Sequence, residues 1–158
     1  MALGEHGPKN YDAVLDELQL EQSHDTRIFP ESTDRKVEFT AGGSTNAWGT
    51  WAVVEDDTPT TPVKLSDRGE SNMHISAIAV EDLSDKDMRY MFEIAFGGDK
   101  TIVARHRFVS GENKKLAAIT FPRIRTRNVP AGEEIYYQMM CETAGATCEV
   151  SFRYHPHA

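Results

Sequence analysis

Six histidines and two cysteines are the residues whose chemistry could be catalytic or metal-binding in this sequence. His74 and His106 fall in segments that read as strands, the setting of a cupin-like metal centre. Neither strand carries a His-x-His pair, and the remaining ligands have no source at a suitable spacing, so hydrogen-bonded structural histidines are the simpler reading. His155-Pro-His157 brings two imidazoles together at the end of the chain, where metal capture would be adventitious. Cys141 and Cys148 stand at inward-facing positions of the closing segment with no histidine nearby in that segment to activate a thiolate. No Gly-x-Ser-x-Gly elbow marks a serine nucleophile. The carboxylates of Glu55-Asp56-Asp57 and Glu133-Glu134 stand in turns without a calcium-loop pattern, and Ala41-Gly42-Gly43 lacks the Lys-Ser/Thr of a phosphate cradle. The expectation is a non-enzymatic protein with no cofactor and no metal.

The arginines suggest binding instead. Arg105 and Arg107, then Arg123, Arg125 and Arg127, recur at period two, so each set lines one face of its strand. Such a face is either solvated and paired with local Glu93, Glu133 or Glu149, or it is a contact for an acidic neighbour through bidentate guanidinium–carboxylate pairs. Trp48 and Trp51 are core residues or, beside a Gly-rich loop, an assembly anchor or a sugar platform. With Tyr136 they are what a carbohydrate-binding sandwich would use.

Composition narrows the partners. A chain of 158 residues suits one domain with a short appendage, and 39% hydrophobic with 27% charged residues is ordinary for a soluble protein. A formal charge of −8 argues against phosphate backbones, which need clustered Lys and Arg to replace condensed counterions, so no nucleic acid is expected. No apolar run approaches the roughly 20 residues of a membrane helix, and residues 1–9 have neither a basic nor an apolar signal region. The expectation is synthesis in a cytoplasm and no membrane.

Strands must position these side chains, and apolar alternation supplies them roughly every ten residues, as in antiparallel sandwiches. The clearest case is the closing segment. Ile135, Tyr137, Met139 and Cys141 share one parity, and Cys148, Val150, Phe152 and Tyr154 share the parity of a returning strand. Folded about Ala144-Gly145 as a β-hairpin, they meet as Ile135 with Tyr154, Tyr137 with Phe152, Met139 with Val150 and Cys141 with Cys148. In that register the two cysteines have Cα atoms about 5.5 Å apart, so a disulfide and a pair of buried thiols are both open. A bridge across so short a loop would add little stability.

Upstream, residues 26–30, 37–40, 48–55, 73–81, 88–96, 101–109, 116–121 and 123–127 read as strands. Residues 73–81 are small or apolar on both faces, as in a central strand. Residues 88–96 and 101–109 form a hairpin that sets Phe96, Ile94 and Tyr90 opposite Ile102, Ala104 and Phe108. Residues 56–72, poor in apolar side chains, read as an exposed loop. Ahead of them, residues 11–20 form a short amphipathic helix capped by Asn10, with Tyr11, Val14, Leu15 and Leu18 on one face. A helix of that length is not stable alone, so it docks on its own body as a lid or on a neighbouring subunit as an arm. The predicted organisation is an N-terminal arm over 1–25 and a β-sandwich domain over 26–158, all-β and antiparallel, with the jelly roll as one form it could take.

Several stretches carry a resemblance: Thr26-Arg-Ile-Phe-Pro30, a Trp-containing strand followed by a Thr/Pro/Ser loop, His74-Ile-Ser-Ala-Ile-Ala-Val-Glu81, and Tyr90 to Gly97. Arg105-His-Arg-Phe108, Val129-Pro-Ala-Gly132 with its following hairpin, and Phe152-Arg-Tyr-His155 complete the pattern. In this arrangement the sequence resembles small virion structural proteins of tailed bacteriophages. The resemblance implies a β-sandwich capsid decoration, head or tail component, without catalytic residues, residing in the virion after synthesis in a host cytoplasm. It implies a homo-oligomer whose partners are the major capsid protein or other virion proteins. The candidate contacts are Tyr11, Leu15 and Leu18 of the arm, Trp48, and Arg105, Arg107, Arg123 and Arg125.

Overall fold

The alternation of the closing segment is realised in full, but across two layers. The computed structural model describes residues 26–112 and 128–157. Its strands are β1 (Arg27–Phe29), β2 (Val37–Thr40), β3 (Ala52–Val53), β4 (Asn72–Leu83), β5 (Arg89–Phe96), β6 (Thr101–Val109), β7 (Ile135–Cys141) and β8 (Thr147–His157). One sheet is built on β8, with β1 and β2 end to end along one edge and β4 along the other; the second has the order β3-β7-β5-β6, and every pairing is antiparallel. The expected all-β antiparallel sandwich is therefore the fold.

The expected hairpin is not formed. β7 pairs with β5 and β3, while β8 pairs with β4, β2 and β1, so residues 142–146 cross from one sheet to the other. Phe152 lies opposite Phe29 and Ile78 rather than Tyr137, and Cys148 opposite Phe39 and Leu83 rather than Cys141. The physical reason is that parity reports which side of a strand is buried; facing members of two layers satisfy it as well as neighbours in one ladder. Loop 41–49 makes the crossing possible by taking up its backbone groups. Ala41 N–H donates to the Ala146 carbonyl (2.8 Å), Gly145 N–H to Gly42 (2.9 Å) and Asn46 N–H to Cys141 (2.9 Å). Cys141 and Cys148 are buried free thiols on facing sheets, and sheets pack roughly 10 Å apart, so the ladder geometry for a disulfide is absent.

The β5–β6 hairpin matches expectation over most of its length. Tyr90 faces Phe108 and Ile94 faces Ala104, but a bulge after Ile94 sets Ile102 against Ala95 instead of Phe96. Two other expectations are corrected. The strand over 48–55 shrinks to Ala52–Val53, leaving Trp48 and Trp51 half-buried outside it. β4 is an edge strand among the described residues rather than a central one: it pairs with β8, and its other side carries one bridge, between Met73 and Val129. Residues 56–72 form the expected loop, mostly accessible to solvent, and are braced within it. Glu55 bridges Lys64, and the Asp56 carboxylate accepts the amides of Thr58 (3.0 Å) and Val63 (2.9 Å). Leu65, fully buried, then opens a 3-10 turn over Leu65–Arg68. One buried leucine anchors a segment whose low apolar content suggested none.

Between the sheets lie Phe29, Phe39, Ile75, Ile78, Val80, Phe92, Ile94, Ile135, Met139, Val150 and Phe152. Phe39 joins the layers, stacking on Tyr137 at 4.0 Å and meeting Phe92 edge-on at 5.3 Å. Among the described residues no helix is long and apolar enough to cross a membrane. The helix expected over 11–20 and the strands expected over 116–121 and 123–127 lie outside the described residues.

Candidate functional site

Alternation that sends Tyr90, Phe92 and Ile94 inward must send Arg89, Met91, Glu93 and Ala95 to the opposite, outer face of the β3-β7-β5-β6 sheet. Register with β6 and β7 arranges that face in rows. Glu142, Arg89 and Val109 form the first; Met140, Met91 and Arg107 the second; Gln138, Glu93 and Arg105 the third; Tyr136 and Ala95 the fourth.

Charge within the rows is unevenly matched. Arg89 Nη1 donates to Glu142 Oε1 at 2.8 Å and its backbone N–H to Glu142 Oε2 at 3.1 Å. These hydrogen bonds hold the Glu142 carboxyl below the usual carboxylate range. Arg105 Nε donates to Glu93 Oε2 at 3.1 Å, and Gln138 Nε2 reaches the other oxygen at 3.5 Å, so Glu93 is buried but partnered. Arg107, exposed between these two pairs, forms no ion pair among the described residues, though its charge adds to that of Arg89 in favouring the Glu142 carboxylate. Beside it lies a groove of about 440 Å³, with Met91, Met140, Arg89, Arg107, Asn46 and Glu142 in its lining. Val109, 64% exposed, extends the apolar surface past Arg89.

The structure separates the other candidates. Arg105 and Arg107 share this face, and Arg105 takes the local partner Glu93 that the sequence suggested. Trp48, half-buried in the loop after Gly42, is not among the residues of the four rows. Tyr11, Leu15, Leu18, Arg123 and Arg125 lie outside the described residues. Lys100 Nζ sits 3.9 Å from the centroid of the Tyr136 ring, so one ring face is taken by an ammonium rather than offered to a sugar. Met91, Met140, Arg89, Glu142 and Val109 were not singled out by sequence reasoning. The signal was present, since a methionine at an outward position on each of two strands leaves apolar surface on the solvent side once register is known.

The histidines expected as alternative metal ligands are on different sheets. His74 lies on the outer side of the β8-centred sheet beside His155, ring centroids 4.8 Å apart, whereas His106 points inward from β6 between the rings of Phe92 (5.5 Å) and Phe108 (5.2 Å). Among the described residues no three metal-ligating groups gather. Burial pushes both thiols up, Cys148 strongly, which keeps them as protonated packing groups.

Burial likewise pushes the His106 imidazole down. The unfolded chain then accepts a proton near pH 6.5 that the folded chain resists, so stability is full above that pH and falls as pH drops below it. Midpoints of thermal unfolding measured from pH 7.5 to 5 should decline less in His106→Phe, which keeps an aromatic ring against Phe108. Equal declines would remove His106 as the cause.

No family model matches the chain, and no curated protein does. Among solved structures it is similar to the crystal structure of the infectious bursal disease virus VP2 subviral particle, at 12% identity over 84% of this chain and 33% of that one, with TM-score 0.36. It is similar to the structure of the Gx strain of that virus at 15% identity, over 85% of this chain and 30% of that one, with TM-score 0.33. For the Gt strain the values are 15%, 80%, 33% and 0.24. The chain thus spans about a third of the length of the solved chains it matches, and likenesses of this size carry no functional argument.

Proposed function

We propose that this protein is a virion structural component that acts by binding, as a capsid decoration or cementing protein placed on the lattice as an oligomer. The observation that carries the reading is the outer face of the β3-β7-β5-β6 sheet. Within a chain of charge −8 it gathers Arg89, Arg105 and Arg107 with two paired carboxylates, Glu142 and Glu93, over a methionine floor, leaving an excess of one positive charge suited to an acidic contact. Assignment to a virion rests on the arrangement of sequence stretches that resembles phage structural proteins, together with the antiparallel sandwich. Its partners would be the major capsid protein or other virion proteins. Many weak contacts repeated by symmetry would gain strength through effective concentration. A tail or baseplate position uses the same chemistry. The test is size-exclusion chromatography with light scattering, alone and with purified virus particles from the protein's own source. Association with particles supports the reading; a monomer that never binds them overturns it.

A further inference from the structure

We infer that the groove between Met91, Met140 and Arg107 is a docking pocket for an acidic segment of a partner protein, one that carries a large apolar side chain beside its carboxylate. The inference rests on the reading that this face makes the protein's contacts and names what enters it. Three observations converge. The floor is apolar: Met91 and Met140 face each other across the β5–β7 ladder at outward, half-buried positions. Methionine adapts its shape to an entering side chain. The groove holds about 440 Å³, within the roughly 300–1,000 Å³ of small-ligand clefts.

Charge balance then selects the ligand's sign. Glu142 pairs with Arg89 at one end and Glu93 with Arg105 at the other, while Arg107 between them forms no ion pair among the described residues and feels Glu142 only through space. The site therefore has room for one guanidinium–carboxylate pair, which Arg makes in bidentate geometry. The rim is fixed on the opposite side. Asn46 is held at φ 56° with its N–H donated to the Cys141 carbonyl (2.9 Å). Val109, exposed beyond Arg89, offers a second apolar contact to a segment longer than one residue.

The experiment follows the methyl resonances of Met91 and Met140 by NMR in the full chain during titration with the blocked peptide Leu-Glu-Leu. Parallel titrations use Leu-Gln-Leu, which lacks the charge, and Gly-Glu-Gly, which lacks the apolar anchors. Saturable shifts at both methyls are expected with Leu-Glu-Leu, on the order of tenfold weaker binding with either control, and the same loss in Arg107→Gln. Arg107 is exposed and buries no partner, so the variant should fold, which thermal unfolding checks. Equal responses to all three peptides, or no response at millimolar peptide, overturn the pocket. If particle association persists while the methyls stay silent, the pocket fails and the virion reading stands; if particles are never bound, the reading itself fails.

Discussion

Phe39→Ala should cost about 3–5 kcal/mol of folding stability, read from urea or thermal unfolding. Phe39 is fully buried on β2 and belongs to both layers: it stacks on Tyr137 of the opposite sheet at 4.0 Å and 13°, and meets Phe92 edge-on at 5.3 Å. Phe152, on its own sheet, lies at 6.2 Å. Truncation would leave a cavity between two sheets whose spacing is set by their other side chains, so collapse could fill it only in part. It would also free the Tyr137 ring, whose hydroxyl oxygen accepts the Thr40 amide at 3.1 Å. Phe39→Leu, which keeps most of the volume, should cost distinctly less. A loss below about 1 kcal/mol for alanine would mean that β2 is not packed between the layers as described.

Gly42→Ala should be the next most damaging change for its size, at about 1–3 kcal/mol. A Cβ at Gly42 would stand 2.4 Å from the Ala47 carbonyl oxygen, 2.9 Å from the Trp48 carbonyl carbon and 3.0 Å from the Gly49 nitrogen. All three are backbone atoms, which cannot swing aside as a side chain can. The same residue ties the loop to β7 and to the crossing segment, its N–H donating to Met139 (3.2 Å) and its carbonyl accepting from Gly145 (2.9 Å). Gly43 supplies the control, because a Cβ there meets nothing within 4 Å. Gly43→Ala should fall within about 0.5 kcal/mol of the parent; equal effects at both positions would show that the close approach at Gly42 does not exist.

What the sequence made legible is what local alternation encodes. The inward set Ile135, Tyr137, Met139, Cys141, Cys148, Val150, Phe152 and Tyr154 is buried as expected, and β6 runs from Thr101 to Val109 as read. The pairing of Arg105 with Glu93 follows from the hairpin register and was also within reach. Layer assignment was not, since a short connection such as 142–146 suits a hairpin turn and a crossing equally, and the hydrogen bonds that decide between them come from loop 41–49, distant in sequence. The same limit hid the His74–His155 neighbours and the Met91–Met140 floor, both products of pairing between strands far apart in the chain. Leu65 was missed for another reason: a lone apolar residue carries no period, yet it is fully buried and anchors its loop.

Whether the arginine-bearing outer face of the β3-β7-β5-β6 sheet meets the particle is decided by co-sedimentation with purified particles. Wild-type protein is compared with Arg105→Glu/Arg107→Glu. Both side chains are exposed, but Arg105→Glu sets a second carboxylate against buried Glu93 and lowers the unfolding midpoint, so the assay is run below the variant's midpoint, where its fold is checked. Wild-type protein should pellet with the particles, and the folded double variant should remain in the supernatant. Retention of the double variant at wild-type levels would contradict that assignment.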